Sequence, residues 1–161
     1  MSAFTALQFP TANIPPDGTT HEGEITFQAL AIDPEDRFAF PSPLHFVLHL
    51  SVVDDDVLVA GKLSGVIAVM CDRCTDNTPC EVAVGDVFHR YENVVGEVID
   101  LTDAVREDIL LTFPQSFLCS DACRGLCPSC GCNLNRERCT CNPAADAGED
   151  NPWRQLDSLK L

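Results

Sequence analysis

Three segments in the central part of the chain carry the hydrophobic patterns of β-strands. Apolar and polar residues alternate over Leu44–Val53, the two-residue period of a strand with one face against a core. Residues 57–70 are largely apolar, and Gly61 and Gly65 within them predict bulges or bends in a longer strand. A third run, rich in β-branched residues, covers residues 81–91. Short links between the three segments predict an antiparallel meander.

The period of the pattern becomes helical after residue 100. Leu101, Val105 and Ile109 share one face of a predicted helix, which an acidic residue precedes and a proline follows. The pattern predicts one amphipathic helix over residues 101–113 that covers one face of the sheet. The predicted fold class is therefore α+β: a β-rich antiparallel sheet or partial barrel covered by this one main helix.

The two ends of the chain give weaker patterns. Residues 24–32 are predicted to form a further strand. Residues 142–151 are small, polar and acidic, which is typical of a linker. Trp153, Leu156 and Leu159 then recur every three residues and predict a short docking helix at the C-terminus.

The chain is strongly acidic. Its 161 residues include 25 Asp and Glu against 10 Lys and Arg, for a formal net charge of −15. Such acidity argues against electrostatic binding of nucleic acid over a broad surface, and it favours a basic partner. No apolar run reaches the roughly 18 residues that a membrane span requires, so we expect no membrane partner. No export signal is evident after Met1, and the expected location is the cytoplasm.

Ten cysteines, a large number for this length, supply the candidate chemistry. In a reducing compartment such a set favours metal binding over disulfides. The Cys-Pro-Ser-Cys-Gly segment at residues 127–131 looks like a zinc knuckle, in which two thiolates converge on one ion. Zinc takes four such ligands in a tetrahedron. The candidate zinc ligands lie in a cysteine-rich module at residues 119–141, and they are Cys119, Cys123, Cys127, Cys130, Cys139 and Cys141.

The cysteines leave alternatives open. A disulfide-stapled loop or an iron–sulfur cluster would use the same residues, and spacing does not choose four ligands among the six. The module contains no histidine, so its metal is expected to be structural rather than catalytic. Cys71 and Cys74 form a second possible metal site, completed by Cys80 or by the distal module, or else a redox pair. The simpler alternative for them is two small buried residues beside a turn.

No sequence motif points to catalysis. The chain lacks a nucleophile elbow, a phosphate-binding loop, a dinucleotide fingerprint and a zinc-protease helix, and its four histidines form no motif. We therefore expect neither an enzyme nor a small-molecule substrate. Arg124, Arg136 and Arg138 in the cysteine module are candidates for contacts with RNA phosphate, and the alternative for them is a solvated surface.

Several motifs in a fixed order resemble those of one known family. They are Cys71-Asp72-Arg73-Cys74, then Asp100-Leu101-Thr102 with Phe113-Pro114, then the run from Cys123 to Asn135, and then Cys139-Thr140-Cys141. With the tail segment Asn151-Pro152-Trp153-Arg154, they are similar to the YceD family of large ribosomal RNA subunit accumulation proteins. The resemblance covers roughly residues 44 to 161, and Cys80 and Cys132 lie outside its pattern.

Together with the predicted zinc module, this resemblance implies a function. It implies a non-enzymatic factor in biogenesis of the large ribosomal subunit that supports the accumulation or processing of 23S rRNA. The implied partner is a large-subunit precursor, bound through rRNA, through a basic ribosomal protein, or both. The alternative from another class is a cysteine-based redox or zinc sensor. The predicted division is a β-rich body at residues 1–118, the zinc module at 119–141 and a tail at 142–161.

Overall fold

The predicted α+β class is confirmed by a computed structural model, which describes residues 7–141. In chain order its elements are β1 (Gln8–Pro10), β2 (Thr19–Ile25), a 3₁₀ helix (Phe27–Leu30), β3 (Phe38–Ala39), β4 (Leu44–Val53), β5 (Asp56–Met70), β6 (Asn77–Tyr91), β7 (Val98–Asp100) and α1 (Thr102–Leu110). Antiparallel strands dominate, with α1 as the one α-helix of the described residues.

The strands β4, β5 and β6 form the predicted antiparallel meander. The alternation along β4 is confirmed, because Leu44, Phe46, Leu48 and Leu50 are at most 4% exposed whereas the residues that alternate with them are half-buried. β2 pairs with the other edge of β4, and the short β3 pairs with the end of β5. The remaining two strands, β1 and β7, form a separate antiparallel pair.

Gly61 marks an irregularity in the long strand β5. A Cβ atom there would lie 2.1 Å from the carbonyl oxygen of Val47, so only glycine allows the two strands to approach this closely. The pairing of β5 with β6 also shifts between Gly61 and Leu63, which confirms the predicted bulge. At Gly65 the pairing is regular, so the irregularity predicted there is wrong.

The strand predicted at residues 24–32 is also wrong. β2 ends at Ile25, and Thr26 then begins a 3₁₀ helix, its hydroxyl oxygen accepting a hydrogen bond from the backbone N–H of Ala29. Phe27 and Leu30 are buried together at a spacing of three, which suits a 3₁₀ turn and not the two-residue period of a strand.

The helix α1 buries the predicted face in the hydrophobic core. Leu101, just before it, and Val105 and Ile109 within it are at most 1% exposed and belong to the hydrophobic core. The N-cap residue is Leu101, and the Asp100 carboxylate just before it accepts a hydrogen bond from the backbone N–H of Thr102, the first helical residue, at 2.9 Å. The helix ends at residue 110 and not at 113, because the chain tightens there into bonds that span three residues.

The chain divides into two compact units. The strand unit contains the described residues up to Met70 and from Asn77 to Phe117, and the cysteine unit contains residues 71–76 and 118–141. The predicted boundaries at residues 118 and 141 stay a prediction. The predicted linker and C-terminal helix, at residues 142–161, lie outside the described residues. Within residues 7–141, no helix is long and apolar enough to cross a membrane.

Replacement of Val105 tests the packing of α1. Val105→Asp places an unpaired charge in the core, so we expect a loss of roughly 3 kcal/mol or more in the free energy of unfolding of the strand unit, measured by urea denaturation. Leu111→Asp is the matched control, since Leu111 is 80% exposed and its replacement should change stability by less than about 0.5 kcal/mol. Equal denaturation midpoints for the two variants would contradict this helix face.

Candidate metal centres

The cysteine unit gathers eight of the ten cysteines into two groups of four. The first cluster consists of Cys71, Cys74, Cys119 and Cys123, and the second cluster consists of Cys127, Cys130, Cys132 and Cys139. Within each cluster all four sulfur atoms lie within 4.8 Å of one another. All ten cysteines of the chain are free thiols.

The distances between sulfur atoms match the geometry of a single four-coordinate ion. With Zn–S bonds of about 2.3 Å, the sulfurs of a tetrahedron are about 3.8 Å apart. In the first cluster, Cys71 and Cys123 are 3.8 Å apart and Cys74 and Cys119 are 3.6 Å apart. In the second cluster, the separation of Cys130 and Cys139 is 3.7 Å. Each cluster can therefore close around one metal ion with little movement.

A tight turn after β5 supplies the first pair of thiols. The backbone N–H of Thr75 donates to the carbonyl of Cys71 at 3.0 Å, and Thr75 itself has a positive φ of 60°. The N–H groups of Arg73 and Cys119 point at the Cys71 sulfur, at 3.5 and 3.3 Å. Such N–H to sulfur bonds stabilise a thiolate, and the turn holds Cys71 and Cys74 on the same side of the chain.

The chain from residue 118 onward supplies the other pair of the first cluster. The Asn135 side-chain amide donates to the Cys123 sulfur at 3.4 Å, and the Arg73 guanidinium donates to the Cys123 carbonyl at 3.2 Å. Gly125, with a φ of +73°, passes so close to the Arg73 carbonyl that a Cβ atom would lie 3.1 Å from its oxygen. These contacts tie the Cys71–Asp76 loop to the segment that carries Cys119 and Cys123.

The knuckle predicted at residues 127–131 forms the base of the second cluster. The N–H of Gly131 donates to the Cys127 carbonyl, and the N–H of Cys127 donates to the Cys132 carbonyl, both at 2.8 Å. Gly131 has a φ of +75°, a conformation that glycine adopts without strain. The resulting loop brings Cys127, Cys130 and Cys132 to one point.

The two clusters differ in burial. In the first cluster Cys71, Cys74 and Cys123 are at most 5% exposed. In the second cluster only Cys127 is buried, and Cys130 is exposed. Solvent and small reagents therefore reach the second cluster more easily.

Hydrogen bonding favours one thiolate in each cluster. Burial raises the pKa of Cys71, but the N–H groups of Cys119, Arg73 and Cys74 outweigh it and lower the pKa to about 6. The N–H groups of Cys130 and Ser129, with the Cys139 thiol, likewise lower the pKa of Cys127 to about 6.

One neighbouring thiol in each cluster, Cys74 in the first and Cys132 in the second, resists ionisation. The Asp76 N–H lowers the pKa of Cys74, but burial and the adjacent thiols raise it to about 12. Hydrogen bonding to Cys130, together with burial, raises the pKa of Cys132 to about 12. Four thiolates this close together repel one another strongly. All four thiols of a cluster can therefore ionise only when a cation is bound between them.

The cysteine unit also lacks an aliphatic core within residues 71–76 and 118–141. Its buried apolar cluster consists of Cys71, Cys74 and Cys123, with Cys119 packed against it. Its three leucines, at positions 118, 126 and 134, are half-buried or exposed. A unit this small with no such core needs a further source of folding free energy, which metal coordination can supply.

The structure brings most of the predicted ligands together. Five of the six lie in the two clusters, and the backbone N–H of the sixth, Cys141, donates to the Cys139 sulfur at 3.2 Å. Cys71 and Cys74 join Cys119 and Cys123, one of the arrangements left open by the sequence. Cys80 lies in β6, outside both clusters. The assignment of these thiols as metal ligands stays a prediction.

Sequence reasoning missed Cys132. Its thiol lies in the second cluster, although its role was left open and it stands outside the family pattern. The signal for it was its position two residues after Cys130, directly after the knuckle glycine.

The three arginines predicted to contact RNA are all exposed. Arg136 forms an ion pair with Asp76 at 2.8 Å, and the backbone N–H of Arg124 donates to the Asn135 side chain. The described residues of the cysteine unit contain four arginines and four acidic residues, so the unit is neutral before its thiols ionise.

Comparison with known proteins finds one family that matches part of the chain. The family model described as large ribosomal RNA subunit accumulation protein YceD matches residues 89–160. A chloroplastic large ribosomal RNA subunit accumulation protein YCED homolog 1 from Arabidopsis thaliana is 37% identical over 43 residues, which are 27% of this chain and 13% of that protein. Residues 89–160 of the chain thus match the YceD family. The matched residues include α1 and most of the cysteine unit.

Mycobacterial proteins are also similar to this chain. An uncharacterized protein of Mycobacterium leprae is 29% identical in an alignment of 127 residues that covers 70% of this chain and 56% of that protein. One of Mycobacterium tuberculosis is 30% identical in an alignment of 105 residues that covers 56% of this chain and 51% of that protein. The chain thus spans about half the length of these relatives. No solved structure matches it significantly.

Removal of one thiol from the first cluster tests whether that cluster holds metal. We expect Cys71→Ser to lower the metal content of the purified full chain by one ion, measured by elemental analysis, because three thiols form a much weaker site than four. Cys80→Ser is the matched control, and its metal content should equal that of the parent. Equal metal content in both variants would show that the first cluster holds none.

Proposed function

We propose that this chain is a non-enzymatic factor in biogenesis of the large ribosomal subunit, supporting the accumulation or processing of 23S rRNA. The observation that carries the proposal is the family match over residues 89–160, whose description names accumulation of large-subunit ribosomal RNA. That match spans the cysteines from Cys119 to Cys141, so the proposed function and the cysteine unit belong to the same part of the chain. The proposed location is the cytoplasm, where bacterial large-subunit precursors assemble.

The proposed metal is zinc, with a structural role. Tetrahedral groups of four sulfurs suit zinc or iron–sulfur chemistry. Three of the distances between sulfurs, at 3.6–3.8 Å, fit one ion at the centre, and the Cys127 and Cys139 sulfurs are closer still at 3.2 Å. An iron–sulfur cluster would place several atoms between its thiolates and spread them further apart. Closed all-thiolate zinc sites stabilise folds and leave no open position for a substrate.

The composition of the cysteine unit supports a non-catalytic role for its metal. The last histidine of the sequence is His89, which lies in β6 and outside the cysteine unit. Catalytic zinc sites use histidine or carboxylate ligands with one water position. The two clusters offer thiols alone.

Charge supports a basic protein as the direct partner. The chain as a whole carries −15, and its cysteine unit is neutral before thiol ionisation. Each zinc with four thiolates adds a formal charge of about −2, so metal loading makes the cysteine unit acidic as well. A surface of this sign repels RNA phosphate and attracts the basic proteins of the large subunit. The exposed Arg124 and Arg138 then supply at most local contacts with RNA.

A cysteine-based redox or zinc sensor is the second candidate. It is favoured by the exposure of Cys130 and by the 3.2 Å separation of the Cys127 and Cys139 sulfurs. A sensor would require a reversible change of these thiols in cells and would leave the 23S rRNA level unaffected.

Depletion of the protein in its own cells tests the ribosomal role. We expect the ratio of mature 23S to 16S rRNA to fall and large-subunit precursors to accumulate on sucrose gradients. Expression of the parent chain or of Cys80→Ser should restore the ratio, whereas Cys127→Ser should not. An unchanged 23S to 16S ratio after depletion would contradict the proposed function and favour the sensor.

A salt titration of purified components tests the choice of partner. We expect binding to a basic large-subunit protein that weakens steeply as salt rises, and weak binding to naked 23S fragments at physiological salt. Tight, salt-sensitive binding to naked RNA with no affinity for any ribosomal protein would overturn the charge argument and leave direct RNA recognition in its place.

A further inference from the structure

Two adjoining depressions lie on the surface of the strand unit. The first has a volume of about 440 Å³, with a floor of buried or half-buried apolar side chains and a rim of exposed prolines. The floor residues are Phe27, Ile32 and Phe40, and the rim residues are Pro34, Pro41 and Pro43. The second depression, of about 350 Å³, extends from Pro43 across β4, β5 and β6. Ser42 and Pro43 line both, so the two depressions form one continuous surface, here termed the proline groove.

Hydrogen bonds fix the backbone around the proline groove. Glu35 and Phe38 exchange two backbone hydrogen bonds, at 3.0 and 3.2 Å, which order the loop that carries Pro34. The Ser42 hydroxyl donates to the Val66 carbonyl at 3.3 Å and ties the proline-rich rim to β5. The prolines themselves have a fixed φ. A surface that is already ordered loses less conformational entropy when a partner binds.

The floor of the first depression is aromatic. The rings of Phe27 and Phe40 stack with their centroids 4.3 Å apart and their planes at 13°. Phe27 is 2% exposed, whereas Phe40 is half-buried and so leaves part of its surface open. An apolar side chain of a partner gains burial against this floor and against the proline rings of the rim.

Acidic residues border the proline groove at both depressions. Five of them are exposed. They are Asp33, Glu35 and Asp36 in the loop around Pro34, Glu81 in the lining of the second depression, and Glu24, which pairs across the strands with the lining residue His45.

The cations next to this surface do not offset its charge. The Arg37 guanidinium donates to the Gln115 carbonyl at 2.9 Å and lies over the Phe38 ring at 5.5 Å. Lys62 stands two residues before Ser64, which lines the second depression. Five carboxylates against these two cations leave a negative surface, which attracts lysine and arginine and repels phosphate.

We propose that the proline groove binds an extended, basic segment of a partner protein. An apolar side chain of the segment packs on Phe27 and Phe40, and its lysine or arginine side chains face the carboxylates. The course of the groove, from the 3₁₀ helix to β6, fits an extended chain. The assignment of that partner to the large ribosomal subunit rests on the proposed function, whereas the surface is defined by its own lining and charge.

Peptide binding to the full chain tests the groove. The probes are overlapping peptides of about ten residues, which extend over about 33 Å. They tile the basic proteins of the large subunit, and binding is measured by fluorescence anisotropy at physiological salt. We expect peptides that combine lysine or arginine with an apolar residue to bind, and replacement of that apolar residue by serine to weaken binding at least about fivefold. Failure of every peptide to bind would overturn the proposal.

Paired neutralising variants distinguish the groove from general attraction by net charge. Asp33→Asn/Glu35→Gln removes two carboxylates of the groove and should weaken peptide binding at least about fivefold. The matched control is Asp54→Asn/Asp55→Asn, which removes two exposed carboxylates from the turn at the far end of β4 and should leave binding within about twofold. Equal weakening by the two variants would overturn the groove as the site.

Chemical shifts of backbone amides in the full chain give a second readout that needs no variant. Bound peptide should perturb amides within residues 26–43, 64–66 and 81–83. Perturbation confined to other residues would overturn the proposal. Perturbation of the same amides by a naked 23S rRNA fragment would also overturn it, because the occupant would then be nucleic acid.

The surface and the ribosomal role can fail separately. Peptide binding in the groove with an unchanged 23S to 16S ratio after depletion would overturn the ribosomal role and keep the surface. A fall in that ratio with no peptide bound at the groove would keep the ribosomal role and overturn the surface.

Discussion

Electrostatic repulsion among clustered thiolates is the constraint on which the cysteine unit depends. Four sulfurs within 4.8 Å of one another cannot all carry charge unless a cation lies between them. The hydrogen bonds around Cys71 and Cys127 favour a thiolate in each cluster, whereas the pKa of the neighbouring Cys74 and Cys132 thiols is raised to about 12. Proton release from those neighbours is therefore linked to the arrival of a metal ion.

The two compact units differ in the side chains that they bury. The strand unit buries a continuous set of aliphatic and aromatic side chains from β1 through α1. The cysteine unit has only cysteines in its buried apolar cluster within the described residues. Burial of apolar surface stabilises the first unit without any ligand, whereas on the proposed assignment the second unit would draw its stability from metal coordination. Loss of that metal would then leave the fold of the sheet intact.

Local patterns in the sequence predicted the local parts of this structure. The alternation in β4 and the helical face of Val105 and Ile109 follow from periodicity, which depends only on near neighbours in the chain. The strand predicted at residues 24–32 failed because Thr26 offers its hydroxyl to the backbone and diverts the chain into a 3₁₀ turn. Composition alone did not reveal that competition.

The partners in the first cluster could not be assigned from spacing. Cys71 and Cys123 are 52 residues apart in sequence, and only the folded chain brings their sulfurs to 3.8 Å. The Cys-Pro-Ser-Cys knuckle could be recognised in the sequence because its two cysteines, Cys127 and Cys130, lie within one turn of the chain. Cys132 was missed for the opposite reason, since a cysteine beside a complete knuckle adds nothing to the motif until the geometry shows that it points at the same site.

Hydrogen exchange of the full chain before and after chelation tests the central claim most directly. The account predicts that removal of metal abolishes the protection of backbone amides in residues 71–76 and 118–141. Amides in β4, β5 and β6 should keep their protection, because their core contains no metal ligand. Unchanged protection in the cysteine unit after complete chelation, or an equal loss of protection in the central strands, would contradict it.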